Sequence, residues 1–212
     1  MLNEGVFLID KKEKIIYNKG GRMNRKFIED LIKKLNPDRM ISGDSTKWAN
    51  WMSVLMQNSC QNCVEQHGKI VDISILKNKT EVQAHRNCQC VYVPMRTKLV
   101  GTVTDMGMEG TDVYLIYFGI LPGYYISKKQ AQKAGWQSWT GNLDEVLPNK
   151  MIGGDIYKNK EGKLPSAPGR EWYEADINFA EGYRNRERIL YSNDGLIFAT
   201  FDHCQTFYEI TE

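Results

Sequence analysis

Residues 171–178 read Glu171-Trp172-Tyr173-Glu174-Ala175-Asp176-Ile177-Asn178. An extended chain turns successive side chains to opposite faces, so Trp172, Glu174 and Asp176 share one side. Trp172 marks that side as buried, and buried carboxylates need cations or donors, so Glu174 and Asp176 are expected to have partners there. Further short β-rich runs surround this one: Gly154–Tyr157, Arg188–Ser192, Leu196–Phe201 and Thr206–Ile210, separated by Gly, Pro, Asn and Asp. Upstream the pattern is helical. Thr111–Phe118 reads as a helix. Ser127 opens another, with Gln130 in the capping-box position and Gly135 closing it. Asn142 caps a shorter helix that ends before Pro148. Helices followed by consecutive strands with short links predict an α+β fold with an antiparallel sheet.

The whole chain has 212 residues, with 28 Lys and Arg against 26 Asp and Glu, a formal charge of +2. The halves are unlike. Residues 1–100 hold 17 basic and 10 acidic side chains, a net of +7, and residues 101–212 hold 11 and 16, a net of −5. Four of the five cysteines fall in the first half. Residues 91–110 carry Gly101, Gly107 and Gly110 with little periodicity, so the expected units are 1–100 and 101–212. In the first unit, Val6–Ile9 and Lys14–Tyr17 read as a hairpin. Arg22–Leu35 reads as a helix ended by Pro37, and Trp48, Met52, Leu55 and Met56 have helical spacing. Hydrophobic residues at 42 % and charged residues at 25 % exclude wholesale disorder. The longest apolar runs, such as Val113–Ile120, fall far short of the ~20 residues that span a bilayer. Met1–Gly20 is charged where a signal peptide would be apolar, so no membrane span and no general secretory signal are expected.

Cys60-Gln61-Asn62-Cys63 and His85-Arg86-Asn87-Cys88-Gln89-Cys90 are two ligand pairs separated by a spacer, the pattern of a tetrahedral zinc knuckle. The candidates, with His67, exceed the four ligands needed. Cys60, Cys63, His85 and Cys88 are the expected set, with Cys90 the rival for the last place. A disulfide of the Cys60–Cys90 type and buried free thiols are the alternatives. Trp51, the two Cys pairs, Gly68-Lys69-Ile70, His85 and Pro94-Met95 together resemble the carboxy-terminal region of phage head-morphogenesis (minor head) proteins over about residues 45–96. That resemblance implies a small α+β attachment or delivery module, of the kind also fused upstream of toxin domains.

The second half is similar to another family. Ile152-Gly153-Gly154-Asp155-Ile156, Glu161-Gly162-Lys163-Leu164-Pro165, Gly169-Arg170, Glu174-Ala175-Asp176-Ile177-Asn178, Arg188-Ile189-Leu190-Tyr191-Ser192 and Asp202-His203 with Gln205-Thr206-Phe207 occur in one order. Together with Tyr125-Ile126 and Lys128, they resemble the microbial guanyl-preferring ribonucleases of the barnase group from about Val113 to Ile210. The fold implied is helices packed on a five-stranded antiparallel sheet. The activity implied is metal-independent endonucleolytic cleavage of single-stranded RNA 3′ of guanosine, through a 2′,3′-cyclic phosphate that is then hydrolysed. By resemblance Glu174 is the general base, His203 the general acid, and Arg184, Arg188 and Lys128 the cations around the phosphate. Asp155 and Asp176 match supporting positions, and Arg170 with Asp194 matches a structural ion pair.

Tyr157-Lys158-Asn159-Lys160-Glu161 matches the guanine-binding loop, with Glu161 as the carboxylate that reads the base. Lys160 replaces the family's Arg and Lys158 a small residue. Lys is a point charge and cannot stack as a guanidinium does. Cys204 stands where the family has an aromatic, which removes a stacking platform. No cofactor is expected for catalysis, and a structural zinc is expected in the first half. The expected partners are RNA, a barstar-like acidic immunity protein, and a phage-like or secretion-apparatus partner for the first half. A toxin of this kind would be made in the bacterial cytoplasm, delivered by a non-Sec route and active in a target cell. The competing expectation is a phage structural or attachment protein whose second half binds RNA or a partner without cutting.

Overall fold

The computed structural model describes residues 46–53, 60–75, 85 and 90–212. The hairpin and first helix expected before residue 40 lie outside these residues, as does Cys88. The fold is α+β, as expected. Among the described residues, ten strands and four α-helices follow in chain order: β1 (Trp48–Met52), α1 (Gln61–Gln66), β2 (Ile70–Asp72), β3 (Val91–Pro94), β4 (Arg96–Leu99), α2 (Thr111–Phe118), β5 (Tyr125–Ile126), α3 (Lys128–Lys133), α4 (Leu143–Val146), β6 (Met151–Tyr157), β7 (Trp172–Asp176), β8 (Arg188–Ser192), β9 (Ile197–Thr200) and β10 (Tyr208–Thr211).

Strands β6 to β10 form the antiparallel five-stranded sheet, each paired with its neighbour in sequence. Two short strands extend its edges in parallel, β5 beside β6 and β4 beside β10. A smaller antiparallel sheet of order β2-β1-β3 carries the amino-terminal residues. Trp48–Met52 is therefore a strand and not part of a helix. A separation of four is even, so it keeps two residues on one face of a strand as well as of a helix, and here pairing with β2 and β3 decides.

One face of the large sheet packs Ile177, Ile189, Ala199 and Ile210 against Leu115 of α2. On the other face Trp172, Leu190, Phe198 and Phe207 share a core with Leu164 and with Trp48, Ile70 and Met95 of the amino-terminal part. The rings of Trp48 and Phe198 meet edge to face at 5.9 Å. Helix α3 has the full capping box expected, with Ser127 accepting from the Gln130 N–H and Gln130 reaching back to Ser127. Asn142 precedes α4 without capping it. Its side chain instead accepts from the Gln137 N–H and donates to the Gly135 carbonyl, which fixes the turn before the helix.

Candidate active site

The site is built on the second face of the sheet, beyond the Trp172–Phe198 core. Strand registers place its residues in two adjacent rows. Asp155 stands opposite Glu174, which stands opposite Leu190 and then Phe198; in the next row Asp176 faces Arg188, which faces Thr200. Two carboxylates opposite each other repel unless cations intervene. Lys128, the first residue of α3, meets both: its backbone N–H donates to Asp155 Oδ2 at 2.9 Å, and its ammonium pairs with Glu174 Oε1. Gly153 lets the strands close up here. A Cβ on it would lie 2.5 Å from the Tyr125 ring and 2.9 Å from the Ala175 Cβ. Tyr125 in turn donates to the Asp176 carbonyl at 2.5 Å.

Asp176 is fully buried and binds two guanidinium groups. Arg184 Nε and Nη2 each donate at 2.6 Å, and Arg188 Nε lies 2.9 Å from Oδ1. Arg188 also donates to Asn185 Oδ1 and the Glu187 carbonyl. Burial lowers the Arg188 guanidinium, with the Asp176 carboxylate opposing it. For Arg184 burial acts the same way, but its paired bonds to Asp176 outweigh that and raise it. Both act on Glu174 through space, so this partly buried carboxylate sits among Lys128, Arg184 and Arg188.

The second row ends at the loop carrying His203. Thr200 Oγ1 accepts from the Cys204 N–H at 2.9 Å and donates to Asp202 Oδ1 at 3.0 Å. Asp202 also accepts from the Gln205 and Thr206 N–H groups and the Thr206 hydroxyl. Burial would raise this carboxyl, but the bonds from Thr206, Thr200 and Gln205 prevail and hold it below its ordinary value. Inside the loop so fixed, His203 and Cys204 both take left-handed φ values, 62° and 63°. Two consecutive non-glycine residues in that region are strained, and such strain persists only where surroundings enforce it. His203 is exposed, and its backbone N–H donates to the Arg186 carbonyl at 3.1 Å. Cys204 is half-buried against the Trp172 core beside Tyr157; burial raises its thiol and the Tyr157 phenol alike.

The loop after β6 presents Lys158, Lys160 and Glu161 to solvent. Asn159 shapes this loop. At φ 44° its amide accepts from the Leu164 N–H at 3.1 Å and donates to the Leu164 carbonyl at 2.8 Å. Lys163 joins the two loops, its ammonium lying 3.0 Å from Glu161 Oε2 and 3.2 Å from the Cys204 carbonyl. Arg170 pairs with Asp194 at 2.7 Å, holds the Pro165 carbonyl and lines one cleft with Tyr157, Lys158 and Asn159. Lys163 and Asp202 were not among the sequence-derived site residues. Asp202 accepts from amides three and four residues on, beyond the two-residue reach of an Asx-turn, so no standard turn signal marks it. Nothing local marks Lys163.

In the amino-terminal part, His85 Nε2 lies 3.2 Å from Cys60 Sγ and 3.1 Å from Cys63 Sγ, with all three donor atoms within 4.8 Å of one another. A tetrahedral zinc with ordinary Zn–S and Zn–N bonds separates sulfur from nitrogen by about 3.5 Å, so this soft donor set fits. Cys90, packed beside Cys63, and His67 both meet Ser53. Cys90 Sγ donates to Ser53 Oγ, and His67 Nδ1 accepts from the Ser53 N–H.

The antiparallel sheet, its helices and the clustered Lys128, Glu174, Asp176, Arg184 and Arg188 make an α+β protein with carboxylates and cations gathered on one sheet face. Residues 118–211 match the ribonuclease family profile. A ribonuclease of Heyndrickxia coagulans is 53 % identical over 102 residues, covering 48 % of this chain and 94 % of that protein. Ribonucleases of Bacillus intermedius and Bacillus pumilus are each 53 % identical over 102 residues, and here the chain spans 63 % of their length. The chain belongs to the microbial ribonuclease family. Among the described residues no helix is long and apolar enough to cross a membrane.

Proposed function

We propose that this chain is an endoribonuclease cutting single-stranded RNA on the 3′ side of guanosine. The observation that carries the reading is Glu174 paired with Lys128 beside the Asp176–Arg184–Arg188 cluster. Glu174 takes the proton of the ribose 2′-hydroxyl, the 2′-oxygen attacks phosphorus, and the bond to the 5′-oxygen breaks as His203 protonates it. In the second step His203 takes a proton from water, which opens the 2′,3′-cyclic phosphate while Glu174 returns a proton to the 2′-oxygen. The nucleophile lies in the substrate and both proton carriers in the protein, so this route calls on no metal. Arg184, Arg188 and Lys128 balance the charge that grows on the phosphoryl oxygens. Asp176 and Asp155 anchor those cations. Glu161 accepts from the guanine N1–H and amino group, with loop amides from Lys158 to Lys160 serving its O6. Cys204, half-buried and small, offers little for a base to stack on.

The wider reading is a toxin in two parts, residues 1–100 as a phage-head-like attachment or delivery module and 101–212 as the ribonuclease. Cys60, Cys63 and His85, with Cys88 as the fourth ligand expected from the sequence, would hold a structural zinc in the first part. When bound, the ion supplies a cross-link whose binding energy is folding energy. A small acidic immunity protein that plugs the cationic cleft would protect the producing cell, and adding it should block the RNA assay below.

The deciding experiment digests RNA and guanylyl dinucleotides in excess chelator. Cleavage persists in the parent and falls at least ~10²-fold in Glu174→Ala and His203→Ala, the usual weight of a general acid or base. No cleavage by well-folded parent, or full activity in either variant, overturns the enzyme reading. Native mass spectrometry of the same samples before chelation reads the metal separately, and a chain carrying no zinc there removes that part.

A further inference from the structure

The amino-terminal part touches the ribonuclease at one place with consequences for specificity. The Ile70 N–H, at the start of β2, donates to the Lys163 carbonyl at 2.8 Å, and the Ile70 side chain shares a core with Leu164. Next to it, the Lys69 Cε lies 3.7 Å from where a Cβ on Gly162 would stand, so the far end of the Lys69 stem approaches the loop at Gly162. Lys69 is itself fixed. Its carbonyl accepts from the Trp51 N–H at 2.8 Å, and the Gly68 N–H donates to the Trp51 carbonyl at 2.7 Å. The segment gripped, Gly162 to Leu164, is the stem of the loop carrying Lys158, Lys160 and Glu161. From that stem Lys163 reaches Glu161 and the Cys204 carbonyl, while Asn159 ties the loop to Leu164.

The contact is a brace and not a plug. Glu161 keeps 72 % of its side chain exposed, and Lys158 and Lys160 also face solvent. An occluding element would cover those groups; this one holds the far side of the loop. A short loop presenting one carboxylate and several amides discriminates between bases only if its geometry is held to a fraction of an ångström, and neighbouring packing supplies that precision.

We propose that Lys69 and Ile70 are positioning residues for the base-recognition loop, so that the amino-terminal module sets base preference while leaving proton transfer at Glu174 and His203 untouched. The inference rests on reading residues 157–161 as the base-binding loop. It makes the module part of the enzyme's specificity as well as its means of attachment.

The test measures kcat and KM for GpA and ApA with the full chain and four variants: Lys69→Ala, Ile70→Ala, Ile70→Val and Glu161→Gln. Lys69→Ala and Ile70→Ala should raise KM for GpA roughly three- to tenfold, the scale of one lost positioning contact, with kcat within about twofold and a reduced GpA/ApA ratio. The backbone N–H survives in every variant; Ile70→Val also keeps a branched side chain beside Leu164 and should restore parental values. Lys69→Ala truncates a half-buried side chain outside the shared core, so it remains informative where Ile70→Ala lowers stability. Parental KM and base ratio in Lys69→Ala and Ile70→Ala, or a loss confined to kcat, overturns the proposal when Glu161→Gln shifts the ratio. An unchanged ratio in Glu161→Gln overturns the base-loop reading itself.

Discussion

Asp112 is a buried carboxylate outside the proposed chemistry. Its Oδ2 accepts from the Gly101 N–H at 2.6 Å and the Val103 N–H at 3.3 Å, whereas among the described residues Oδ1 and the nearby Thr104 Oγ1 have no partner. Both lie against Gly110, where a Cβ would come within 2.6 Å of Asp112 Oδ1 and 2.1 Å of Thr104 Oγ1. Burial raises this carboxyl, and the amide donors only partly offset it. A raised folded value favours the neutral acid, so the stability it contributes is full below the ordinary value of 3.8 and is lost as pH rises through the folded value. Asp112→Asn keeps an acceptor for Gly101 and Val103 and offers Thr104 a donor. It should stabilise the protein at pH 7 by about 1 kcal/mol, the net value of a buried hydrogen bond, and flatten that part of the pH profile. Asp112→Ala orphans both amides and should cost roughly 1–3 kcal/mol for each. Thermal unfolding midpoints from pH 4 to 8 decide, and a less stable Asn variant at pH 7 would refute the assignment.

At the scale of elements, the loop from Thr200 to Thr206 is held chiefly by Asp202. Asp202→Ala removes the acceptor of four hydrogen bonds and releases the left-handed His203-Cys204 pair. Cleavage should fall by at least ~10-fold, since a displaced catalytic group loses its near-attack geometry. Asp202→Asn retains an oxygen for the Gln205 and Thr206 amides and should keep most of the rate; equal rates in Ala, Asn and parent would sink this account. The same loop marks where sequence reading stopped. Alternation and turn residues made β7, β8 and the pairing needs of Glu174 and Asp176 legible, because those signals repeat every second residue. The φ values of His203 and Cys204 carry no such signature, since they are imposed by Asp202, Thr200 and Arg186 across the loop. Strands β4 and β5 were equally hidden. Each is short, and each pairs in parallel with a partner whose position only the folded chain supplies. Trp48 misled because a spacing of four fits both periods.

For the whole molecule, the charge contrast between halves suggested separable units, yet burial joins the described parts of both. Trp48, Ile70 and Met95 lie in one core with Leu164, Trp172, Leu190, Phe198 and Phe207, and β4 continues the ribonuclease sheet beyond β10. Glu209 of β10 is reached in the same way. Burial raises its carboxyl against the pull of Thr46 and Lys47. Elements that share a core lose stability together, whatever their origins. Trp48→Ala should therefore destabilise the ribonuclease half itself, by roughly 3–5 kcal/mol if the cavity beside Phe198 stays open. The measurement is urea unfolding followed by residual RNA cleavage and by near-ultraviolet circular dichroism. Coincident curves, both shifted to lower urea in the variant, are expected. A cleavage midpoint equal to the parent's would mean that the ribonuclease sheet stands without the amino-terminal part, and the brace on its base loop would then have to be tested as a contact between independent domains.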